Sequence, residues 1–373
     1  MSQPNSEAQS PFRLALGRLK GDSASMISLS VILLCVVFAL ACYLLAPDNS
    51  PSANRMNITC AMQAPGTRIT YLIVPDKQAE HLSWLESCVS GFAPEGKWVP
   101  VLDWELSSDS VCYTLYSGDP DWPGESEAIH RKVWPRLGGQ EDFSERWIVH
   151  QTHWLGTDRY GRDLLSRMLV AARVSVSVGF IAVGISLLIG VLLGAMAGYY
   201  RGNTDKIIQW FINVVWSIPT LLLVVAITLA LGKGLVQVFV AVGLTMWVEV
   251  ARIVRGQVFS LREQQYIEAG KALGYSNARI ILRHVLPNVA GPVIVVAASN
   301  FASAILLEAG LSFRGLGVQP PAPSWGMMIK ENYSAIVIGA PWLAVVPGTA
   351  IAVLVLSFTL LGNGLRDAFD TRS

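Results

Sequence analysis

Apolar residues gather along this chain in six runs close to the ~20 residues that cross a bilayer: 24–46, 174–200, 207–231, 236–254, 291–311 and 343–361. Backbone groups in hydrocarbon must be satisfied within their own segment, so each run predicts a helix. The ~10-residue alternation of a transmembrane barrel is absent. Residues 47–150, between the first two runs, have a different texture. Strand-like stretches lie at 67–74 and 111–116, and 78–89 sets Leu82, Leu85 and Val89 on one helical side. Pro65-Gly66 and the segment 119–124 read as turns. The pattern predicts an all-α polytopic membrane protein of six transmembrane helices carrying an inserted α+β subdomain. Its divisions are a terminal segment 1–23, a first span 24–46, the subdomain 47–150 and a five-helix core 151–373.

Composition and charge add orientation. The chain is 52% hydrophobic but only 15% charged, against about a quarter charged in globular domains. Residues 47–150 hold 15 Asp and Glu against 8 Lys and Arg, a net −7, and six of the twelve tryptophans. Basic residues in short loops mark the cytoplasmic side. Arg13, Arg18 and Lys20 precede the first run, Arg366 and Arg372 follow the last, and Arg252, Arg255, Arg262, Lys271, Arg279 and Arg283 crowd the loop between runs four and five. Both termini are therefore expected in the cytoplasm and 47–150 outside it. Arg159, Arg162, Arg167 and Arg173 fall on the outer side, but they end a loop longer than ~60 residues, where the rule has little force. The first run exceeds a ~7–15-residue signal core, so it is expected to remain as a span despite Ala41-Cys42. In the outer subdomain Cys60, Cys88 and Cys112 allow one disulfide with one thiol over, Cys88 with Cys112 being the helix-to-strand choice, or three buried thiols.

Within the runs, Ser186, Gly190, Gly194 and Gly198 recur every four residues, a stripe that lets another helix approach. Pro219 should kink the third span. Glu249, placed near the inner end of the fourth, can pair with Arg252 one turn on. Intramembrane polar groups face protein or a wet cavity, which makes Glu308 and Asn300 the candidates for lining a pathway. Before the second run, Thr157 or Asp158 can cap a helix starting near Arg159, with Arg162 and Arg167 facing headgroups. His153, Asp158 and Asp163 do not have the spacing of a metal site.

The segment 255–290 carries the most specific chemistry. Residues 268–273 can form a short helix, Gly274 can end it in the left-handed conformation, and Ser276 can cap a second helix running to Pro287. Such a helix–Gly–helix knuckle offers a small rigid face of mixed polarity to a partner groove. Glu268-Ala269-Gly270 with Gly274, and then His284-Val285-Leu286-Pro287, resemble the EAA loop of ABC importer permeases, with Gly270 and His284 where the usual form has Ala and Ile. The run His153-Trp154-Leu155-Gly156-Thr157-Asp158-Arg159-Tyr160-Gly161-Arg162-Asp163 is similar to one in the dipeptide, oligopeptide and nickel permeases, with Trp154 in place of proline. Residues 311–326 resemble that family's run after span five.

The resemblance implies the type I importer permease fold, and specifically the second of two permease subunits in a bacterial inner membrane. It implies that Glu268, Ala269, Gly270, Gly274, Leu286 and Pro287 couple to the ATPase. Implied partners are a second permease, two ATP-binding subunits and an extracytoplasmic solute-binding protein, with membrane lipid around them. No cofactor and no nucleic acid are expected. No Gly-x-x-x-x-Gly-Lys-Ser/Thr occurs in the chain, so ATP binding is expected from partners. The expected cargo is di- or oligopeptides, with a nickel chelate or another small solute as the alternative. A secondary transporter would show repeat-related broken helices, which the pattern lacks. The outer subdomain would dock the binding protein or cover an outer gate.

Overall fold

The computed structural model describes residues 11–76, 83–93, 96–134 and 140–369. The order along the chain is α1 (Pro11–Gly21), α2 (Ser23–Leu40), α3 (Cys42–Leu45), β1 (Thr67–Pro75), α4 (Trp84–Ser90), β2 (Gly96–Leu106), β3 (Ser110–Leu115), β4 (Ser126–His130), α5 (Gln140–Trp147) and β5 (Ile148–His153). The rest is helical: α6 (Leu164–Tyr200), α7 (Gly202–Trp216), α8 (Thr220–Leu231), α9 (Leu235–Leu261), α10 (Gln265–Ala272), α11 (Asn277–Ile280), α12 (Leu286–Phe313), α13 (Trp325–Asn332) and α14 (Trp342–Phe369). Two compact units result. One comprises Met1–Val36, Ser175–Gln319 and Thr349–Ser373, the other Val37–Val174 and Pro320–Gly348.

Among the described residues five helices are long and apolar enough to cross a membrane, and a sixth crossing exists if α7 and α8 form one span. They meet at 91° across a break. Pro219 stands at the N-cap of α8, where a residue without an N–H breaks no helical bond. The expected kink is thus a full break. With 12 residues, α8 reaches about 18 Å, short of the ~30 Å hydrocarbon layer, so this crossing needs part of α7. In contrast α6, with 37 residues, is about 55 Å long and overshoots the bilayer.

The glycine stripe of α6 lies on α9. A Cβ added at Gly190 would stand 2.5 Å from the Val250 side chain, at Gly194 2.6 Å from the Ala251 carbonyl oxygen, and at Gly198 2.7 Å from the Arg255 carbonyl oxygen. Gly243 of α9 returns the approach, with Ile185 at 2.7 Å. Around this seam Val250, Val254 and Val258 pack with Ala195, Tyr199 and Val289. On α1, Ala15 and Leu19 pack against Ala368 of α14. Asp22 caps α2 by accepting from the Ser25 N–H at 3.2 Å, and the Ser25 hydroxyl, which also donates to it, holds its carboxyl below the usual range.

In the second unit, β4-β3-β2-β1-β5 form one antiparallel sheet. Strand β1 is covered on both faces: Leu72 packs with Phe143 and Trp134, and Ile69 and Tyr71 pack with Cys60 and Tyr116. The two strands expected from sequence, 67–74 and 111–116, correspond to β1 and β3. Of the expected helix 78–89, residues 84–89 fall in α4, while 78–82 lie outside the described residues, as does Arg372. No disulfide joins Cys88 to Cys112: all five cysteines are free, and Cys112 is exposed on β3. Burial pushes the Cys60 thiol up.

The α6–α9 seam yields a direct test. Gly194→Leu should destabilise the protein by about 1–3 kcal/mol or more through overpacking, whereas Gly184→Leu, with nothing within 4 Å of the added Cβ, should be nearly neutral. Thermal unfolding of the two detergent-purified variants measures the contrast, and equal shifts would refute the seam.

Candidate functional site

The segment between α9 and α12 folds as a knuckle whose every turn is locally encoded. Helix α10 ends in a Schellman motif: Gly274 has φ +78, its N–H donates to the Lys271 carbonyl at 3.0 Å, and the Tyr275 N–H donates to the Gly270 carbonyl at 3.1 Å. The Ser276 hydroxyl then accepts from the Arg279 N–H at 3.4 Å, capping α11. The second helix does not stop at Pro287. A π turn over residues 281–285 joins α11 to α12, and residues Asn277–Phe313 run as one 37-residue span. The Leu286 N–H reaches the Ile281 carbonyl, and the Asn288 side chain donates to the His284 carbonyl at 2.7 Å. The wider turn shifts the bonding register just ahead of a proline that cannot donate.

Anchoring and display are separated by residue. Ile267, Ile280 and Val285 are buried in the α6–α9–α12 core, and the Tyr199 hydroxyl donates to Asn277 Oδ1 at 2.9 Å. Glu268, Ala269, Gly274 and Pro287 are exposed, with Leu273 and Leu282 well exposed beside them. Gly270 is buried and Leu286 half-buried. The Tyr275 ring stacks on His284, centroids 6.0 Å apart at 8°. The Arg279 guanidinium lies 4.6 Å from the Tyr275 ring centroid. A Cβ at Gly270 would meet the same ring at 3.4 Å. The two residues that depart from the usual loop pattern thus enclose one aromatic ring.

A second feature lies at the α7–α8 break. A cavity of about 370 Å³ is walled by Trp216 and Thr220, by Thr245 and Glu249 of α9, and by Ser303 and Leu307 of α12. Helix α9 continues past its apolar run to Leu261, and Glu249 stands near the middle of the helix. Arg252 does not turn to it; its guanidinium lies 3.3 Å over the Trp216 ring. Asn300 and Glu308, also on α12, are each 1% exposed. The Ser312 hydroxyl donates to Glu308 at 2.6 Å and accepts from the Val318 N–H at 3.2 Å. That bond ties the end of α12 to the following turn, while Ser303 and Leu307 take the cavity wall.

In the other unit, residues 153–163 form a loop pinned by its glycines: a Cβ at Gly161 would fall 1.7 Å from the Asn57 carbonyl oxygen, and at Gly156 2.3 Å from that of Gln63. Arg162 and Arg167 are each 2% exposed, so they face protein and not headgroups. Arg162 pairs with Asp158 at 2.7 Å and with Glu331 of α13 at 2.7 Å, and Arg167 reaches Glu331 at 3.5 Å. His153 Nδ1 lies 2.8 Å from Asp163, and the Tyr71 hydroxyl, pushed well above its ordinary range by burial, lies 3.0 Å from the other ring nitrogen. The helix cap is Asp163, which accepts from the Ser166 N–H at 2.8 Å, not Thr157 or Asp158. Sequence spacing gave no sign of Glu331, which is brought in from a distant part of the chain.

Residues 190–373 match the family model for the binding-protein-dependent transport system inner membrane component. The dipeptide transport system permease protein DppC of Alkalihalophilus pseudofirmus is 43% identical over 220 residues, 59% of this chain and 72% of that protein. The glutathione transport system permease protein GsiD of Pectobacterium atrosepticum is 41% identical over 220 residues, covering 59% and 73%. Among solved structures, an inward-facing MetNI methionine ABC transporter aligns with a TM-score of 0.45 at 18% identity, over 54% of this chain and 97% of that one.

Removing one member of a buried ion network leaves the others uncompensated and costs about 3–5 kcal/mol. Asp158→Ala should therefore lower thermal stability severely. Asp142→Ala, at a half-exposed pair with Arg146, should cost about 0–1 kcal/mol. Differential scanning of both purified variants separates the cases; comparable losses would argue against a structural network.

Proposed function

Because the chain belongs to the family of binding-protein-dependent transport system inner membrane components, the permeases of ABC importers, we propose that it forms half of a peptide pathway beside a second permease subunit. A solute-binding protein delivers cargo on the extracytoplasmic side. Separate ATP-binding subunits supply the energy, engaging the knuckle formed by residues 265–287. The observation that carries this reading is the division of labour in the knuckle. Apolar residues lock it to α6, α9 and α12, while Glu268, Ala269 and Leu273 stand outward on its crest. A rigid mixed-polarity face of this kind suits a partner groove. The unbroken helix from Asn277 to Phe313 then offers a lever by which ATPase closure moves a membrane span, so that the two permeases rock between outward and inward access.

Orientation follows from the same parts. The knuckle and its flanks carry Arg262, Lys271, Arg279 and Arg283, the pattern of a cytoplasmic loop. The packing of α1 on the end of α14 holds these two helices together on one side, as an even number of crossings between them requires. That supports reading α7 and α8 as one broken span, with residues 47–150 outside the cytoplasm of a bacterial cell. There the acidic subdomain is positioned to meet the binding protein. The cargo is assigned from two relatives whose names specify dipeptide and glutathione transport. Both solutes present a free ammonium and carboxylate at short separation.

Glu249 supports a pathway on the α9 face. A carboxylate within a membrane span is costly against lipid and belongs in protein or a water-filled space. We assign this face, with Ser303 and Leu307 of α12, to the pathway; Glu308 and Asn300 hold its supporting wall.

Coupling has a decisive measurement. In proteoliposomes holding the complete transporter, Glu268→Lys or Leu273→Asp should reduce binding-protein-stimulated ATP hydrolysis and dipeptide uptake by about tenfold or more, the effect of losing an interface anchor. The ATPase should also fail to co-purify. Wild-type uptake and co-purification in both variants would remove the knuckle from the coupling interface.

A further inference from the structure

We propose that the cavity beside the broken helix is a station for solute in transit, where Glu249 accepts the amino-terminal ammonium of the passing peptide. This rests on the peptide-import reading above. The cavity holds about 370 Å³, within the range of sites that enclose small ligands. Its walls come from three separate elements, the α7–α8 break, α9 and α12, so a solute in it would touch both halves of the broken span and the helix that continues from the knuckle.

The wall chemistry selects the ligand. Glu249 is exposed on the α9 face opposite the glycine-packed seam, and it is the cavity's acidic side chain. In surroundings of low dielectric, a carboxylate gains most from a hydrogen-bonded ammonium. A divalent ion would need several acid, histidine or thiol ligands, and among the described residues no group of three that could hold one occurs. The remaining walls are tolerant. Trp216, Met246 and Leu307 offer apolar surface, while the Thr245 hydroxyl is committed to the Val242 carbonyl at 2.8 Å. One fixed charge with accommodating neighbours recognises what all peptides share, the amino terminus, and leaves side chains unread. Arg252, stacked on Trp216, fixes that wall and leaves the Glu249 carboxylate available to the cavity.

The test uses the complete transporter in proteoliposomes, with a dipeptide and its N-acetylated form each supplied at equal occupancy of the binding protein. The wild type should carry the free-amine peptide at least about tenfold faster, as expected for a charge-assisted hydrogen bond. Glu249→Gln should bring the ratio near one while binding-protein-stimulated ATP hydrolysis persists, and Glu249→Asp should restore part of the preference. No preference in the wild type, an unchanged ratio in E249Q, or equal loss of both substrates with ATP hydrolysis intact would each overturn the assignment. Wild-type complex that hydrolyses ATP with its binding protein yet moves neither peptide would instead overturn the cargo reading on which it rests.

Discussion

The close approach of α6 to α9 is the constraint from which the membrane unit follows. Three glycines one turn apart leave no room for a Cβ between the two backbones, and in lipid such contact supplies the attraction that water would otherwise drive. Once α9 turns Val250, Val254 and Val258 toward that seam, helical geometry fixes what points the other way. Thr245, Glu249 and Arg252 must then share the opposite face. The same seam carries α6 down to Tyr199, whose hydroxyl holds Asn277 at the base of the knuckle. Packing that is blind to chemistry thus determines where the Glu249 carboxylate and the knuckle stand.

Backbone satisfaction explains the two interruptions in this unit and why they differ. Pro219 sits at a helix start, where the chain turns by 91° and opens a cavity. Pro287 sits just after a π turn, and the helix passes through it. Ahead of Pro287 the bonding register widens, the Leu286 N–H reaching the Ile281 carbonyl five residues back, and the Asn288 side chain adds a bond to the His284 carbonyl. One proline therefore divides a span around a cavity, whereas the other preserves a stiff connection between the knuckle and the bilayer. Residue type alone does not distinguish them; the neighbouring side chains do.

Features readable from sequence were those decided within one or two turns. The apolar runs, the glycine stripe, the break at Pro219, the Gly274 stop and the Ser276 cap all depend on local spacing. What escaped depends on distant partners or on counting. Strand β2 was hidden because a bulge between Val101 and Asp103 changes which parity faces the core: Val99 and Val101 join the same cluster as Trp104 and Leu106. An alternation test fails on such a strand. Arg162 and Arg167 read as headgroup contacts because nothing nearby announces Glu331, their buried partner on α13. Glu249 is visible in the sequence, but its place on a cavity wall is not, because Trp216, Ser303 and Leu307 reach that wall from other elements.

The knuckle shows how small departures from a family pattern can be one change. Taken singly, Gly270 weakens a helix and His284 places a polar ring where an aliphatic side chain is usual. Together they enclose Tyr275, since the ring stacks on the histidine and lies at contact distance from a Cβ that glycine lacks. Alanine at 270 would bring its Cβ into van der Waals contact with that ring at 3.4 Å, and isoleucine at 284 would remove its stacking partner. The ring in turn supports Arg279 next to the exposed crest. Both positions border one ring, and the consequence is local: the backbone of the knuckle keeps its Schellman stop and its cap, while the side-chain surface beside the crest takes its shape from a single half-buried aromatic ring.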